Sequence, residues 1–242
     1  MKRVLIVIPS YSGKVRHRVE EVVYWWTTSD KFLCNVEVIT RRLIHAARNM
    51  AVEMALNGNY DYLLMCDDDN APVNDNALEL LLNANVDIVS WIIRKRKYPN
   101  KLAVFDAKRN QQEWFYDLSE REKLPSPSDN WLHPVGNVGT GFVLYSKKFL
   151  WEIYKKYDKC PFENKISHWV YLVTWQRAEL ERSIWNPLVV TDQNWKLPVV
   201  KGELSEDLLF HYRAKFMGYK VYVHDQVLLD HRDCESGQIF SV

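Results

Sequence analysis

From Val4 to Ile8 the chain is unbroken apolar and mostly β-branched, the pattern of a parallel strand buried on both faces. A Pro-Ser-Tyr-Ser-Gly turn ends it at Gly13, and a helical stretch follows around Val19 to Trp26. Val36-Glu37-Val38-Ile39 reads as a second strand. Leu43, Ile44, Ala47, Met50, Ala51, Met54 and Ala55 then recur at helical spacing until Asn57-Gly58-Asn59 stops them. A third, short apolar strand runs into Asp67-Asp68-Asp69. Asp75 or Asn76 can cap a helix through Leu82, with Glu79 placed for a capping box on Asn76. A fourth apolar run, Val86 to Ile93, ends in the basic cluster Arg94-Lys95-Arg96-Lys97. This alternation of strands and helices implies an α/β fold with a mainly parallel, Rossmann-like central sheet flanked by helices.

The second part has a different texture. Ala103 to Asp106 and Glu113 to Asp117 read as short strands, a hairpin with Lys108-Arg109-Asn110 at its turn. A polar, Pro-containing stretch, Ser119 to Pro134, leads to Gly136-Asn137-Val138-Gly139-Thr140-Gly141. Phe142 to Tyr145 resumes a strand and Lys147 to Tyr157 a helix, after which Cys160 to Lys201 is aromatic-rich and without clear period. Such a stretch inside a compact domain is usually functional or mobile. Glu203 to Asp207 opens a late helix expected to put Leu208, Leu209, Tyr212 and Phe216 on one face, with Gly218 past its end. A final strand pair leads to Asp230-His231. No repeat or low-complexity linker divides the chain, so residues 1–242 read as one domain: about 1–100 a ligand-binding half, about 101–242 a second half with a smaller sheet.

Composition narrows the choices. At 47% hydrophobic, 242 residues suffice for one large core. The formal net charge of +1 gives no whole-molecule field toward nucleic acid or an anionic membrane. No long uncharged apolar run suggests a transmembrane helix. Cys34, Cys66, Cys160 and Cys234 form no CxxC pair, which argues against zinc ribbons; free thiols in a reducing cytoplasm are the simplest account.

The candidate chemistry lies at strand ends. Three consecutive carboxylates repel one another, and a hard divalent cation is the usual partner, since Mg²⁺ takes one or two carboxylates plus the oxygens of a bound phosphate. A solvated acidic turn is the plain alternative. Open α/β sheets bind ligands at the carboxyl ends of their strands, where Pro9-Ser10-Tyr11, the Asp67 to Asp69 triplet and Arg94 to Lys97 all fall. Gly139-Thr140-Gly141 has neither the GxGxxG nor the P-loop pattern and reads as a turn permitting close backbone approach.

Taken in order, Ala47-Arg48-Asn49, Asp67-Asp68-Asp69 with Pro72, Gly139-Thr140-Gly141-Phe142, Pro161-Phe162, Ser205-Glu206-Asp207 and Asp230-His231 resemble the series in GT-A fold glycosyltransferases. The small, metal-dependent, family-2-like inverting enzymes look most similar. The resemblance spans Lys2 to about His231. It implies a nucleotide-sugar donor (UDP- or GDP-linked), a glycan, lipid-linked or protein acceptor, and Mn²⁺ or Mg²⁺. Carried onto this sequence, Asp67 and Asp69 take the two acidic positions of the Asp-x-Asp motif, and His231 matches a C-terminal histidine that completes the metal shell. Asp207 matches the general base of inverting members. Pro9, Ser10, Tyr11 and Arg48 are expected at the base and ribose, with Asp68 beside the donor and Arg94 near phosphate or acceptor charge. Gly139, Thr140, Gly141 and Glu206 are expected on the acceptor and donor-sugar side. The second strand ends in Ile39-Thr40, without the Asp that many members use on the base, and the Cys160 to Lys201 loop matches no named pattern. Two other classes fit parts of the chain: a Mg²⁺-dependent phosphatase, which wants its nucleophilic Asp after the first strand, and a sugar- or nucleotide-binding module without catalysis.

Overall fold

Successive side chains of β1 (Arg3–Ser10) point to two different cores: Leu5 and Val7 to one face, Val4, Ile6 and Ile8 to the other. A strand covered on both faces has no polar side, which is why its sequence shows no alternation. The computed structural model describes residues 1–91, 101–105, 115–117, 131–157, 161–162, 189–191, 198–200, 206–227, 229–232 and 239–241. After β1 come α1 (His17–Thr27), β2 (Leu33–Thr40), α2 (Ile44–Asn57) and β3 (Tyr62–Cys66). Next are β4 (Asn70–Pro72), α3 (Ala77–Asn83), β5 (Ile88–Trp91), β6 (Lys101–Phe105) and β7 (Phe115–Asp117). Then follow β8 (Leu132–Val135), β9 (Asn137–Val138), β10 (Phe142–Ser146) and α4 (Lys147–Lys156). The last described elements are β11 (Val189–Thr191), β12 (Pro198–Val200), α5 (Glu206–Phe216), β13 (Val221–His224), β14 (Leu229–Arg232) and β15 (Ile239–Ser241).

The central sheet has seven strands in the order β2-β1-β3-β10-β5-β13-β8. Five run in one direction, while β10 and β8 run against their neighbours. The expected parallel sheet is therefore present, but mixed: β10, from the second half of the chain, sits between β3 and β5. Helices α2, α4 and α5 cover one face around Tyr145, Phe149 and Phe210; α1 and α3 cover the other around Trp26, Trp91 and Phe142. Smaller sheets are β15-β14-β4, β7-β6-β9 and the β11-β12 hairpin. The expected hairpin exists as β6 against β7; its turn lies outside the described residues.

Two local expectations are corrected. Asn76 precedes α3 without a side-chain cap, and Glu79 is not in a capping box: its carboxylate takes the Lys31 ammonium at 2.6 Å. Of the stripe expected on α5, Leu209 is buried, but Tyr212 is only half-buried and Phe216 faces outward. Phe210, His211 and Ala214 face the core, and Phe216 is 45% exposed. Phe210 stacks on Phe162 at 3.9 Å and meets Phe149 and Tyr145 edge-on, while His211 hydrogen-bonds the Tyr145 hydroxyl at 3.0 Å. These aromatic contacts outweigh the apolar stripe that the sequence offers about 150° around the helix. The rotation matters, because Asp207 lies on the same face as Phe210, His211 and Ala214, at i, i+3, i+4 and i+7.

Candidate functional site

Because β1 and β3 are adjacent and parallel, their loops emerge side by side. The Arg16 amide donates to the Asp68 carbonyl at 2.9 Å, tying the loop after β1 to the acidic turn after β3. Pro9 and Ser10 are buried at the end of β1, where the Ser10 hydroxyl donates to the Lys14 carbonyl at 2.8 Å. Tyr11 stands 76% exposed at the rim. Its carbonyl accepts from the Arg41 amide at 3.3 Å, so the ends of β1 and β2 meet at this rim. Arg94 lies outside the described residues.

Arg48, expected at the base and ribose, is held among three carboxylates. It reaches from the middle of α2 with only 3% of its side chain exposed, and Asp67, Glu206 and Asp207 converge on its guanidinium. One terminal nitrogen contacts Glu206 at 2.6 Å and also Asp207; the other contacts Asp67 at 3.3 Å. The Thr140 hydroxyl donates to Asp207 as well. Thus the acidic turn, the Gly139-Thr140-Gly141 loop and the start of α5 form one network around a buried cation. Burial works against the charge on Arg48, but Asp207, Asp67 and Glu206 overcome it and hold the guanidinium protonated. Burial raises the pKa of Asp67, with Asp207 adding to the rise and Arg48 opposing it. Glu206 is likewise raised, first by burial and then by Asp207. Beneath the network, burial lowers the His211 imidazole to about 4, so it is neutral at physiological pH.

The glycine after Thr140 is there for space. A Cβ at Gly141 would lie 2.4 Å from the Asn70 amide nitrogen and 3.0 Å from an Asp67 carboxylate oxygen. The Gly141 carbonyl accepts from the Asp67 amide at 2.8 Å, which brings the loop this close. Gly141→Ala should therefore displace Asp67 or Asn70 and lose about 1–3 kcal/mol of stability. Thermal unfolding checks this, and an unchanged melting temperature would mean that the approach is not restrictive.

Asp69 is buried, 3% exposed, directly before β4. β14 pairs with β4 so that His231 is opposite Asn70, one residue after Asp69; the distal Asp230-His231 pair therefore returns to the acidic turn in backbone register. Among the described residues no three His, Cys, Asp or Glu side chains are grouped as a metal cage. The donor set nevertheless suits a hard cation that draws further ligands from phosphate: Asp67 and Asp69 offer carboxylates, and the buried Asn70 Oδ1 has no hydrogen-bond partner among the described residues.

Asn49 and Asn70 carry weight that the sequence did not disclose. The Asn49 carbonyl oxygen accepts from the Phe162 amide at 2.9 Å, which seats the ring that stacks on Phe210 and so orients α5. The signal was present as Ala47-Arg48-Asn49 and Pro161-Phe162, fragments with no role until α2 and α5 are seen together.

No protein-family model matches the sequence, and no curated protein matches it. Among solved structures, the chain is similar to A197 from STIV, with a TM-score of 0.55 at 16% identity over 99% of this chain and 93% of that one. Looser similarity links it to the inositol-1-phosphate CTP transferase from T. maritima, with a TM-score of 0.45 at 10% identity over 98% of this chain and 91% of that one. A glycosyltransferase involved in glycosylation of the major capsid of PBCV-1 gives 0.33 at 10% identity over 88% and 98%. The likeness to A197 extends over nearly the whole of both chains and establishes the architecture, a mixed α/β, GT-A-like fold. Among the described residues no helix is long and apolar enough to cross a membrane.

Proposed function

We propose that this chain is a glycosyltransferase moving a sugar from a nucleotide-sugar donor to an acceptor hydroxyl, with inversion and with a divalent cation. The observation that carries the reading is the convergence of Asp67 and Asp207, 140 residues apart in sequence, on the same buried guanidinium, that of Arg48, at the carboxyl ends of the central strands. Two acidic groups with separate tasks, one on the donor side and one on the acceptor side, are what an inverting displacement needs.

In this reading Tyr11, with Pro9 and Ser10 behind it, offers a face to the nucleotide base, and Asp67 and Asp69, with His231, would hold Mn²⁺ or Mg²⁺. Bound there, the ion would supply Lewis-acid neutralisation of the leaving diphosphate. Asp207 accepts the proton of the acceptor hydroxyl as its oxygen bonds to the anomeric carbon. The carbon–oxygen bond to the diphosphate breaks, and its electron pair leaves with the phosphate. Glu206, Thr140 and Arg48 fix the Asp207 carboxylate, so that it meets the acceptor in one orientation.

Asp69→Ala should abolish metal-dependent donor binding, and excess EDTA should abolish transfer. Isothermal titration of UDP- and GDP-linked sugars with and without Mn²⁺ reads the first, and a transfer assay the second. Full transfer in EDTA would overturn metal dependence.

A further inference from the structure

The outer surface of α4 and the end of α5 carries a patch that the proposed chemistry does not use. Along α4, Lys148, Trp151 and Lys155 are exposed on one stripe, and Trp151 is 48% exposed. The Lys155 ammonium lies 4.4 Å from the centre of the Trp151 ring. Across the gap to α5, the Lys156 ammonium lies 5.3 Å from the centre of the Phe216 ring, which is 45% exposed. A groove of about 500 Å³, lined in part by Asp87, Lys148, Glu152, Met217 and Lys220, extends the same surface past the end of α5. Among the described residues no carboxylate pairs with Lys155 or Lys156, and Glu152 is the sole acidic residue of α4.

A single exposed ring needs no explanation, but here two half-exposed rings share one surface and each has a lysine ammonium against it. Aromatic bodies with lysine heads at their margins are the make-up of a surface that rests at a bilayer interface, the rings at headgroup depth and the lysines against lipid phosphate. Single-stranded nucleic acid also combines stacking with positive charge. Here, however, an ammonium already lies over the face of each ring, where a base would stack. The chain's overall charge of +1 does not oppose the idea, because attraction to an anionic surface falls off within a Debye length and depends on the local patch.

We infer that the α4/α5 surface docks on an anionic phospholipid bilayer through Trp151, Phe216 and the lysines around them. The inference is independent of the transfer reaction. The full chain is sedimented with vesicles of phosphatidylcholine alone, and of phosphatidylcholine with about 30% phosphatidylglycerol. Binding is expected only to the anionic vesicles at about 0.1 M salt, and it should weaken at about 0.5 M. Lys155→Glu with Lys156→Glu should reduce vesicle binding by about tenfold or more, and Trp151→Ala should reduce it several-fold with the salt dependence kept. Both variants alter exposed positions, so unchanged thermal unfolding serves as the folding control. Equal or absent binding to the two vesicle types, or wild-type binding by the lysine double variant, overturns the inference. So does a lysine-dependent affinity for a single-stranded oligonucleotide without any for vesicles.

Discussion

An Asp207→Asn protein is expected to fold and bind donor like the wild type while transferring sugar about 10²–10⁴-fold more slowly, equivalent to about 3–5 kcal/mol of barrier. The amide keeps the shape of the carboxylate. Its oxygen can still accept from the Thr140 hydroxyl and the Arg48 guanidinium, which retains Glu206 and Asp67 as counter-charges. What the amide lacks is basicity. The same variant separates enzyme from binding module, because a module has no use for a proton acceptor at the start of α5. Donor affinity by titration calorimetry, transfer rate with product release, and the anomeric configuration of the product by NMR are the three readouts. A product that retains the donor's configuration, or an active Asp207→Asn protein, would remove Asp207 as general base.

The sequence disclosed most where one physical signal dominated. β1, β3 and β5 are apolar runs covered on both faces, so composition alone marks them, and the helices between them are set by period and by breakers such as Asn57-Gly58-Asn59. The place of β10 was hidden, since a strand's own residues do not say which neighbours it joins, and an antiparallel insertion between β3 and β5 is a long-range choice. The face of α5 was misjudged for a related reason. Leu208, Leu209, Tyr212 and Phe216 form a good apolar stripe, of which Leu209 is buried, but packing is decided by what the other elements offer, here the rings of Phe162, Phe149 and Tyr145. Had Asp207 been placed on the same stripe as Phe210 and Ala214, the sequence would have pointed the carboxylate inward. The acidic turn, Tyr11 and Asp207 could each be singled out at strand ends and a helix start. The partners of Arg48 could not, because nothing local in Ala47-Arg48-Asn49 reveals that a helix 158 residues later supplies its carboxylates.

Replacing Arg48 by Met should destabilise the protein by about 3 kcal/mol at pH 7, and much of that loss should return in mild acid. Removing one partner of a buried ion pair typically costs about 3–5 kcal/mol. The three carboxylates keep between 22% and 30% of their side chains exposed, and this screening puts the expectation at the low end. The pH dependence follows from the direction of the shifts. Burial raises Asp67 and Glu206 above ordinary carboxylates, so just above the ordinary carboxylate range the folded protein binds more protons than the unfolded chain. Stability then falls as pH rises through that window. In the wild type Arg48 opposes both shifts; without it they grow, the window widens toward neutrality and the slope steepens. Protonating Asp67 and Glu206 in the variant removes the like-charge repulsion that Arg48 had absorbed. Arg48→Lys should fall between, since a single ammonium lacks the fork that serves three carboxylates at once. Urea unfolding of wild type and both variants at about pH 7 and pH 5 measures this, the lower value lying just above the ordinary carboxylate range. If Arg48→Met were equally destabilised at both pH values, or more stable at the higher one, the guanidinium would not be the counter-ion that holds these carboxylates together.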